Sequence, residues 1–328
     1  MEWIPMNDGV RLYLRRWALN RGGPESKVQP WAVLHIAHGM AEHSLRYERL
    51  ARKLNEAGIE VWAADMRGHG KTAAEGGNDP GKGGLLGHCS DKSSSDRVCA
   101  DIDAINRKIA LELPGIPLFL MGHSWGSFIA QYYIETLEGK KLEDKPPVRL
   151  SGCILSGSRG PGGLKIKFGF PFIALIAFLK RQRKGSRLAR SMADGPYSKP
   201  FRPNRSAFDW LSRDEAEVDK FVNDPLCGFL CSSGFYRDLT GLLKKIHRGD
   251  LLQNIRKELP VYVFSGSADP VGEMGESPTA LVAAYRAQGL KDLEFALYPE
   301  ARHETLNETN RDEVTGNLLS WLLSRIGS

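Results

Sequence analysis

The pentapeptide Gly-His-Ser-Trp-Gly at residues 122–126 constrains this chain more than any other segment. A short apolar run, residues 116–121, precedes it, and residues 127–134, which have helical character, follow it. A G-x-S-x-G sequence between a buried strand and a helix is typical of a sharp turn that lifts a serine hydroxyl above the edge of a sheet. The two glycines leave room for the tight backbone, because a side chain at either position would crowd it. This context predicts that Ser124 is a nucleophile.

Apolar and amphipathic segments alternate along most of the chain. Seven short apolar runs are predicted to be strands, at residues 10–17, 31–37, 59–64, 116–121, 148–155, 261–266 and 293–298. Five segments are predicted to be helices, at residues 47–57, 97–113, 127–134, 278–288 and 308–326. Strands that alternate with helices indicate an α/β fold with a mostly parallel central sheet and helices on both faces. In such sheets, reactive groups lie in loops at the carboxyl ends of the strands.

The alternation stops between residues 158 and 252, where the sequence is irregular, aromatic and basic. We interpret this stretch as a cap inserted into the sheet domain. The predicted division is therefore a first part of the core at residues 1–157, a cap or lid insertion at 158–252, and a second part of the core at 253–328.

A serine hydroxyl is a weak nucleophile at neutral pH and needs an adjacent base, usually histidine, which a carboxylate orients. Asp269 follows the predicted strand at 261–266, and His303 follows the one at 293–298. The chain order Ser124, Asp269, His303 matches the serine, acid, histidine order of α/β-hydrolases. We predict that these three residues are catalytic.

The oxyanion formed when serine attacks a carbonyl needs two hydrogen-bond donors that are already in place. One is expected to be the backbone N–H of the residue after the nucleophile, Trp125. The other is expected to come from the loop after an early core strand, which indicates Met40. The neighbouring His38 is interpreted as a structural residue that fixes this loop.

Four blocks of this sequence resemble a known family. They are HGMAEHS with a following tyrosine (38–47), DMRGHG (65–70), GHSWG (122–126) and HETLNE (303–308). Together they are similar to the blocks of monoacylglycerol lipases and lysophospholipase-like hydrolases of the serine aminopeptidase S33 type. The resemblance implies the α/β-hydrolase fold with an inserted helical cap, and hydrolysis by a serine nucleophile. It says much less about substrate, because many hydrolases share this core.

The chain departs from the family pattern at two positions beside the nucleophile. Trp125 stands where the family has methionine, and Ser127 stands where it has a second glycine. Because the oxyanion donor is a backbone group, Trp125 retains it, and its indole either narrows the pocket floor or packs beneath it. The resemblance further implies that Asp65, Arg67 and His69 stabilise loops.

The predicted cap contains an apolar segment at residues 168–179, which basic residues follow directly. One interpretation is a helix buried between cap and core with a solvated basic end. The other is a lid that lines an acyl pocket and rests on an anionic lipid surface. The second interpretation makes Phe168, Phe172 and Ile176 candidate substrate-binding residues and predicts peripheral membrane contact.

Composition limits the remaining classes of function. The 328 residues are 41% hydrophobic and 26% charged, as is ordinary for a globular protein. Much of the net charge of +6 lies between residues 165 and 205, and no nucleic-acid-binding motif accompanies it, so no nucleic-acid partner is expected. Five cysteines without a C-x-x-C pair predict free thiols in a reducing compartment. No metal or cofactor site is predicted, and no secretory signal is visible, so we expect a cytoplasmic protein of open oligomeric state.

These observations predict a serine carboxylester hydrolase. Its substrates are small-molecule hydrophobic esters such as monoacylglycerols, lysophospholipids or similar acyl and aryl esters. An aminopeptidase or amidase on the same core is one alternative, and it needs a cap carboxylate to hold the substrate amine. A non-enzymatic lipid carrier is a second alternative, and the complete set of Ser124, Asp269 and His303 argues against it.

Overall fold

A single mixed sheet runs through the part of the chain that the structure describes. The computed structural model describes residues 1–19, 29–76, 84–141, 146–162, 182–193 and 195–326. The strands are β1 (Glu2–Pro5), β2 (Arg11–Trp17), β3 (Ala32–Ala37), β4 (Ile59–Asp65), β5 (Leu118–His123), β6 (Gly152–Ser156), β7 (Val261–Gly266) and β8 (Leu293–Tyr298). Their order across the sheet is β1-β2-β4-β3-β5-β6-β7-β8.

The central strands are buried on both faces, as their continuous apolar sequences require. Every residue of β3, β4 and β5 is buried. The strands from β4 to β8 pair in parallel, whereas β2 is antiparallel to both β1 and β4. The register pairs Ala37 with Gly122 and His123 with Ser156, so the carboxyl ends of β3, β5 and β6 meet at one edge of the sheet.

Helices cover both faces of this sheet. They are α1 (Glu48–Glu56), α2 (Gly70–Ala74), α3 (Ser94–Glu112), α4 (Trp125–Thr136), α5 (Arg187–Ala193), α6 (Glu215–Asn223), α7 (Ser233–Lys245), α8 (Gly249–Leu252), α9 (Glu276–Ala287) and α10 (Arg311–Leu323). Ile102, Phe128 and Leu281 bury α3, α4 and α9 in one core cluster, and Leu54 and Leu318 bury α1 and α10 in another. This architecture confirms the predicted α/β-hydrolase fold. None of the helices in the described ranges is long and apolar enough to cross a bilayer.

The structure adds the strand β1, which pairs with β2 and was not predicted. Four helices lie within residues 182–252, as the resemblance to a fold with a helical cap implies, although the sequence pattern of this stretch is irregular. Two of them begin with recognisable caps, because the Asp214 side chain accepts from the Ala216 and Glu217 amides and the Ser232 side chain accepts from the Phe235 amide. The division into core and cap at 157/158 and 252/253 stays a prediction.

The helix α4, which begins directly after Ser124, carries a buried acid whose carboxyl oxygens accept no hydrogen bond from the described residues. Glu135 is 0% exposed, and neither of its carboxyl oxygens has a hydrogen-bond partner among the described residues. Burial raises the pKa of Glu135 from 4.5 to about 9, and the nearby Asp250 adds to the shift. Glu135 is therefore protonated in the folded protein at neutral pH.

We expect Glu135→Gln to remove a pH dependence of stability. Between pH 4.5 and 9 the folded wild type holds a proton that the unfolded chain has released, so its free energy of unfolding falls as pH rises, by about 3 kcal/mol at pH 7. Glutamine does not titrate, so the variant loses this slope. Urea unfolding from pH 5 to 9 measures it, with Glu215→Gln at an exposed site as the control. Equal slopes for wild type and Glu135→Gln would contradict the assignment.

Candidate active site

Ser124 occupies a strained turn between β5 and α4. The strand ends at His123 and the helix begins at Trp125, as the motif predicts. Ser124 has φ 52° and ψ −121°, a conformation that costs a residue with a side chain about 1–3 kcal/mol. Its amide donates to the Ser156 carbonyl at 2.9 Å, which fixes the turn against the end of β6.

The glycines of the pentapeptide are required by close backbone contacts. A Cβ at Gly126 would lie 2.1 Å from the Ala37 carbonyl oxygen, and a Cβ at Gly122 would lie 2.3 Å from that of Gly126. Both distances are far inside van der Waals contact. The steric role predicted for the two glycines is confirmed.

Asp269 and His303 form a buried hydrogen-bonded pair after β7 and β8. His303 Nδ1 lies 3.0 Å from Asp269 Oδ2, and the side chains are 2% and 0% exposed. The Val271 amide and the Ser265 hydroxyl also donate to the Asp269 carboxylate, at 2.8 and 3.1 Å. Burial alone lowers the pKa of His303, but the Asp269 carboxylate raises it above its ordinary value of 6.5. The pair therefore stabilises an imidazolium when a proton arrives.

Ser124 and His303 line the same cavity. In this structure the Ser124 hydroxyl and the His303 imidazole share no hydrogen bond. The predicted roles of the two residues therefore require the groups to approach when a substrate binds. A Cβ at Gly157 would lie 3.0 Å from His303 Cε1, so the backbone after β6 packs directly against the imidazole.

The predicted oxyanion loop lies against the nucleophile. A Cβ at Gly39 would lie 3.3 Å from Ser124 Cβ, and Met40 lines the cavity that holds Ser124. Neither the Met40 nor the Trp125 amide donates a hydrogen bond within the described residues. Both N–H groups are therefore available to an oxyanion, and their role stays a prediction.

The Trp125 indole packs beneath the cavity. It is 4% exposed and does not belong to the cavity wall. Its ring stacks on His69 at 5.0 Å and meets the edge of Phe235 at 5.0 Å. Burial lowers the pKa of His69 to about 3, so the stacked imidazole is neutral. The sequence analysis left two positions open for this indole, at the pocket floor or beneath it. The contacts with His69 and Phe235 correspond to the second position.

A buried ion network joins the oxyanion loop to the histidine loop. Arg46 binds Glu42 at 2.6 Å and holds Glu304 through two contacts at 2.6 and 2.7 Å. Glu42 also accepts from the Gly39 amide and, at 2.9 Å, from the Tyr47 hydroxyl. Burial alone raises the pKa of Glu42, but Arg46 lowers it to about 2. Arg46 is thus the shared counter-charge of both carboxylates that line the cavity.

Residues 208–236, within the predicted insertion, supply most of the apolar cavity wall, which the sequence analysis did not assign. The wall contains Phe208, Trp210, Leu211, Phe221, Phe229 and Tyr236. The Glu304 amide donates to the Leu211 carbonyl at 2.7 Å, so this segment is bonded to the histidine loop. In the sequence, the aromatic residues between positions 158 and 252 were the feature that could have indicated this wall. The predicted substrate residues Phe168, Phe172 and Ile176 lie outside the described residues.

The polar residues that we interpreted as structural are engaged in the scaffold. His38 Nε2 accepts from the Met66 amide at 2.9 Å. Asp65 accepts from the Ser44 and Lys71 amides at 2.8 and 2.7 Å. Arg67 donates two hydrogen bonds to Asp101. The five cysteines, which the sequence predicted to be free thiols, are buried and unbridged.

We expect Arg46→Met to destabilise the protein strongly. It leaves Glu42 and Glu304 buried without a counter-charge, a change that costs about 3–5 kcal/mol. The matched control is Arg52→Met, which breaks an exposed pair with Glu48 and is expected to cost less than about 1 kcal/mol. Urea unfolding compares the two variants. Equal losses would show that the network carries no more stability than a surface ion pair.

Comparison with known proteins finds relatives over most of this chain. A monoacylglycerol lipase of Mycolicibacterium smegmatis is 25% identical over 97% of this chain and 95% of its own length. A monoglyceride lipase homolog of monkeypox virus is 34% identical over 90% of this chain and 91% of its own. An abhydrolase domain-containing protein of Dictyostelium discoideum is 25% identical over 98% of this chain, which spans 28% of that protein's length.

A solved structure and a family model also match this chain. The crystal structure of a carboxyl esterase from Bacillus coagulans superposes with a TM-score of 0.84 and 26% identity, over 99% of this chain and 98% of its own. A family model described as serine aminopeptidase, S33 matches residues 28–310. Because this match spans most of the chain, the protein belongs to the serine aminopeptidase S33 family of α/β-hydrolases.

Proposed function

We propose that the protein is a serine carboxylester hydrolase that cleaves hydrophobic esters through an acyl-enzyme. The observation that carries this proposal is the buried Asp269–His303 pair, which opens onto the same cavity as Ser124. Relatives named monoacylglycerol lipase and a structural neighbour named carboxyl esterase support the reaction class.

Each residue has a defined step in this reaction. The Ser124 Oγ attacks the ester carbonyl while His303 takes its proton, and the resulting imidazolium is held by Asp269. The Met40 and Trp125 amides donate to the oxyanion. His303 then gives its proton to the leaving alcohol. Water, deprotonated by His303, cleaves the acyl-enzyme and regenerates the Ser124 hydroxyl.

The cavity wall favours apolar esters over amine-bearing peptides. Apart from Arg190, the side chains that residues 182–252 contribute to the wall are aromatic or aliphatic, which suits an acyl chain or an aryl group. The carboxylates on the wall, Glu42 and Glu304, are both bound by Arg46. A substrate ammonium group would therefore have to compete with a buried guanidinium. Monoacylglycerols, lysophospholipids and similar acyl or aryl esters are the substrates that this wall fits best.

The aminopeptidase alternative needs a cap carboxylate at the cavity, and the candidates are engaged elsewhere. Asp209, Asp214, Glu215, Glu217 and Asp219 each contact other groups of the described chain, and none of them lines the cavity. Asp214, for example, caps α6 and binds Arg311 at 2.5 Å. Relative rates on proline β-naphthylamide and on a monoacylglycerol separate the two activities.

We expect Ser124→Ala to lower ester turnover by several orders of magnitude while the thermal unfolding midpoint stays close to that of wild type. The measurement is hydrolysis of p-nitrophenyl esters from C2 to C16, a monoacylglycerol, a lysophospholipid and an aryl ester. Fluorophosphonate labelling distinguishes an enzyme from a lipid carrier, since only an activated serine reacts. A Ser124→Ala protein that cleaves short esters at the wild-type rate, or a wild type that resists labelling, would refute the proposal.

A finer part of the proposal is contact between the cap and an anionic lipid surface. Arg183, Lys184 and Arg187 are exposed on consecutive parts of the inserted segment, and Leu188 beside them is 46% exposed. An apolar side chain among exposed cations is typical of interfacial binding. Arg183 also pairs with Asp91, so part of its charge is already compensated.

We expect replacement of Arg183, Lys184 and Arg187 by glutamine to weaken binding to vesicles that contain phosphatidylserine. The effect should shrink as salt rises, because the attraction is electrostatic. The matched control replaces three exposed lysines elsewhere, Lys53, Lys140 and Lys291, by glutamine and so removes the same charge. Equal vesicle binding by the two triple variants would contradict a cap-specific contact.

A further inference from the structure

Ser127 is a residue of this chain where the resembling family has glycine, and its side chain is directed at the nucleophile. It lies in the first turn of α4 and is 0% exposed. Its hydroxyl donates to the Ser124 carbonyl oxygen at 2.5 Å. A glycine at this position could not make this contact.

Two further buried side chains stand behind Ser127. The Ser158 and Ser127 hydroxyl oxygens are 2.8 Å apart, and Gln131 Nε2 donates to Ser158 Oγ at 2.8 Å. All three residues are 0% exposed. The side chains of α4 and of the segment after β6 thus form one continuous line that ends at Ser124.

The Ser127 hydroxyl has two acceptors within hydrogen-bond distance, the Ser124 carbonyl oxygen at 2.5 Å and Ser158 Oγ at 2.8 Å. Its single proton serves both contacts, and the contact to the Ser124 carbonyl is the shorter one. Gln131 Nε2 also donates to Ser158 Oγ, so this oxygen accepts from two sides. Ser158 and Gln131 thus hold the Ser127 hydroxyl in place beside the Ser124 carbonyl.

The receiving carbonyl belongs to the same peptide group as the Trp125 N–H. A trans peptide is planar, and its C=O and N–H point in opposite directions. The Ser124 oxygen accepts from the Ser127 and Phe128 amides at 2.9 and 3.3 Å, and the Ser127 hydroxyl adds a third donor. Donors that fix this oxygen also fix the direction of the Trp125 N–H. Hydrogen bonds in such a chain polarise one another, so the bond accepted by the carbonyl strengthens the amide as a donor.

We propose that Ser127, supported by Ser158 and Gln131, is a positioning residue that aims and strengthens the Trp125 N–H as an oxyanion donor. The inference rests on the proposed function, because it requires that an oxyanion forms at Ser124. In this proposal, Ser127, which stands where the resembling family has glycine, stabilises the transition state.

A purely structural role for Ser127 predicts a different result. A hydroxyl that only stabilises the start of α4 affects the unfolding temperature, and its loss leaves the chemical step of the folded enzyme unchanged. A hydroxyl that acts through the Trp125 amide affects kcat and the affinity for tetrahedral adducts, which place an oxygen in the oxyanion site.

The experiment measures Ser127→Ala and Ser127→Gly on a p-nitrophenyl ester and with an alkylboronic acid, whose adduct on Ser124 is tetrahedral. We expect kcat to fall about 10-fold, less than the 10²–10³-fold loss on removal of a whole oxyanion donor. The boronic acid dissociation constant should rise by a similar factor while KM stays within about twofold. Ser158→Ala should act in the same direction more weakly, because it removes only the supporting bond.

The matched control is Thr136→Val, which removes a hydroxyl that donates to the Tyr132 carbonyl in the same helix, away from Ser124. It should leave kcat and boronic acid affinity at wild-type values. The proposal is overturned if Ser127→Ala keeps the wild-type kcat and boronic acid affinity, or if it lowers only the unfolding temperature. The proposed function fails separately, if wild type does not hydrolyse the ester or if Ser124→Ala still does.

Discussion

The site depends on the close approach of α4 to the end of β3. The helix backbone at Gly126 lies so near the Ala37 carbonyl that no side chain fits between them. This contact forces the sharp turn at Ser124 and brings the nucleophile beside Gly39, whose loop carries the Met40 amide. The close packing of Gly126 on Ala37 therefore positions both Ser124 and the loop that carries the predicted oxyanion donor Met40.

The polar groups around this turn form a hydrogen-bonded pair and a separate ion network, which differ in their energetic roles. Asp269 and His303 form a pair that is stable in either protonation state of the imidazole, because the carboxylate offsets the cost of a buried positive charge. Arg46 binds Glu42 and Glu304 and is charged throughout. The first pair provides a proton-binding site at the cavity, whereas the second network holds two loops together through one cation.

Much of the fold and the site could be predicted because the relevant signals are local. The strand boundaries at 261–266 and 293–298 match β7 and β8, and the residues that follow them, Asp269 and His303, meet because parallel strands end at the same edge of the sheet. The cavity wall could not be predicted in this way. Trp210 and Phe229 reach the cavity through long-range packing of an inserted segment, and no periodic pattern encodes which of its aromatic residues face inward.

The backbone bonds between the inserted segment and the histidine loop limit how this enzyme could be redesigned. The His303 and Glu304 amides donate to the Trp210 and Leu211 carbonyls at 3.4 and 2.7 Å. A segment that lines the cavity is therefore also bonded to the backbone of His303, the predicted catalytic base. Exchange of the whole insertion between relatives would alter selectivity and base alignment together. Grafts that retain residues 209–212 of the recipient would separate the two.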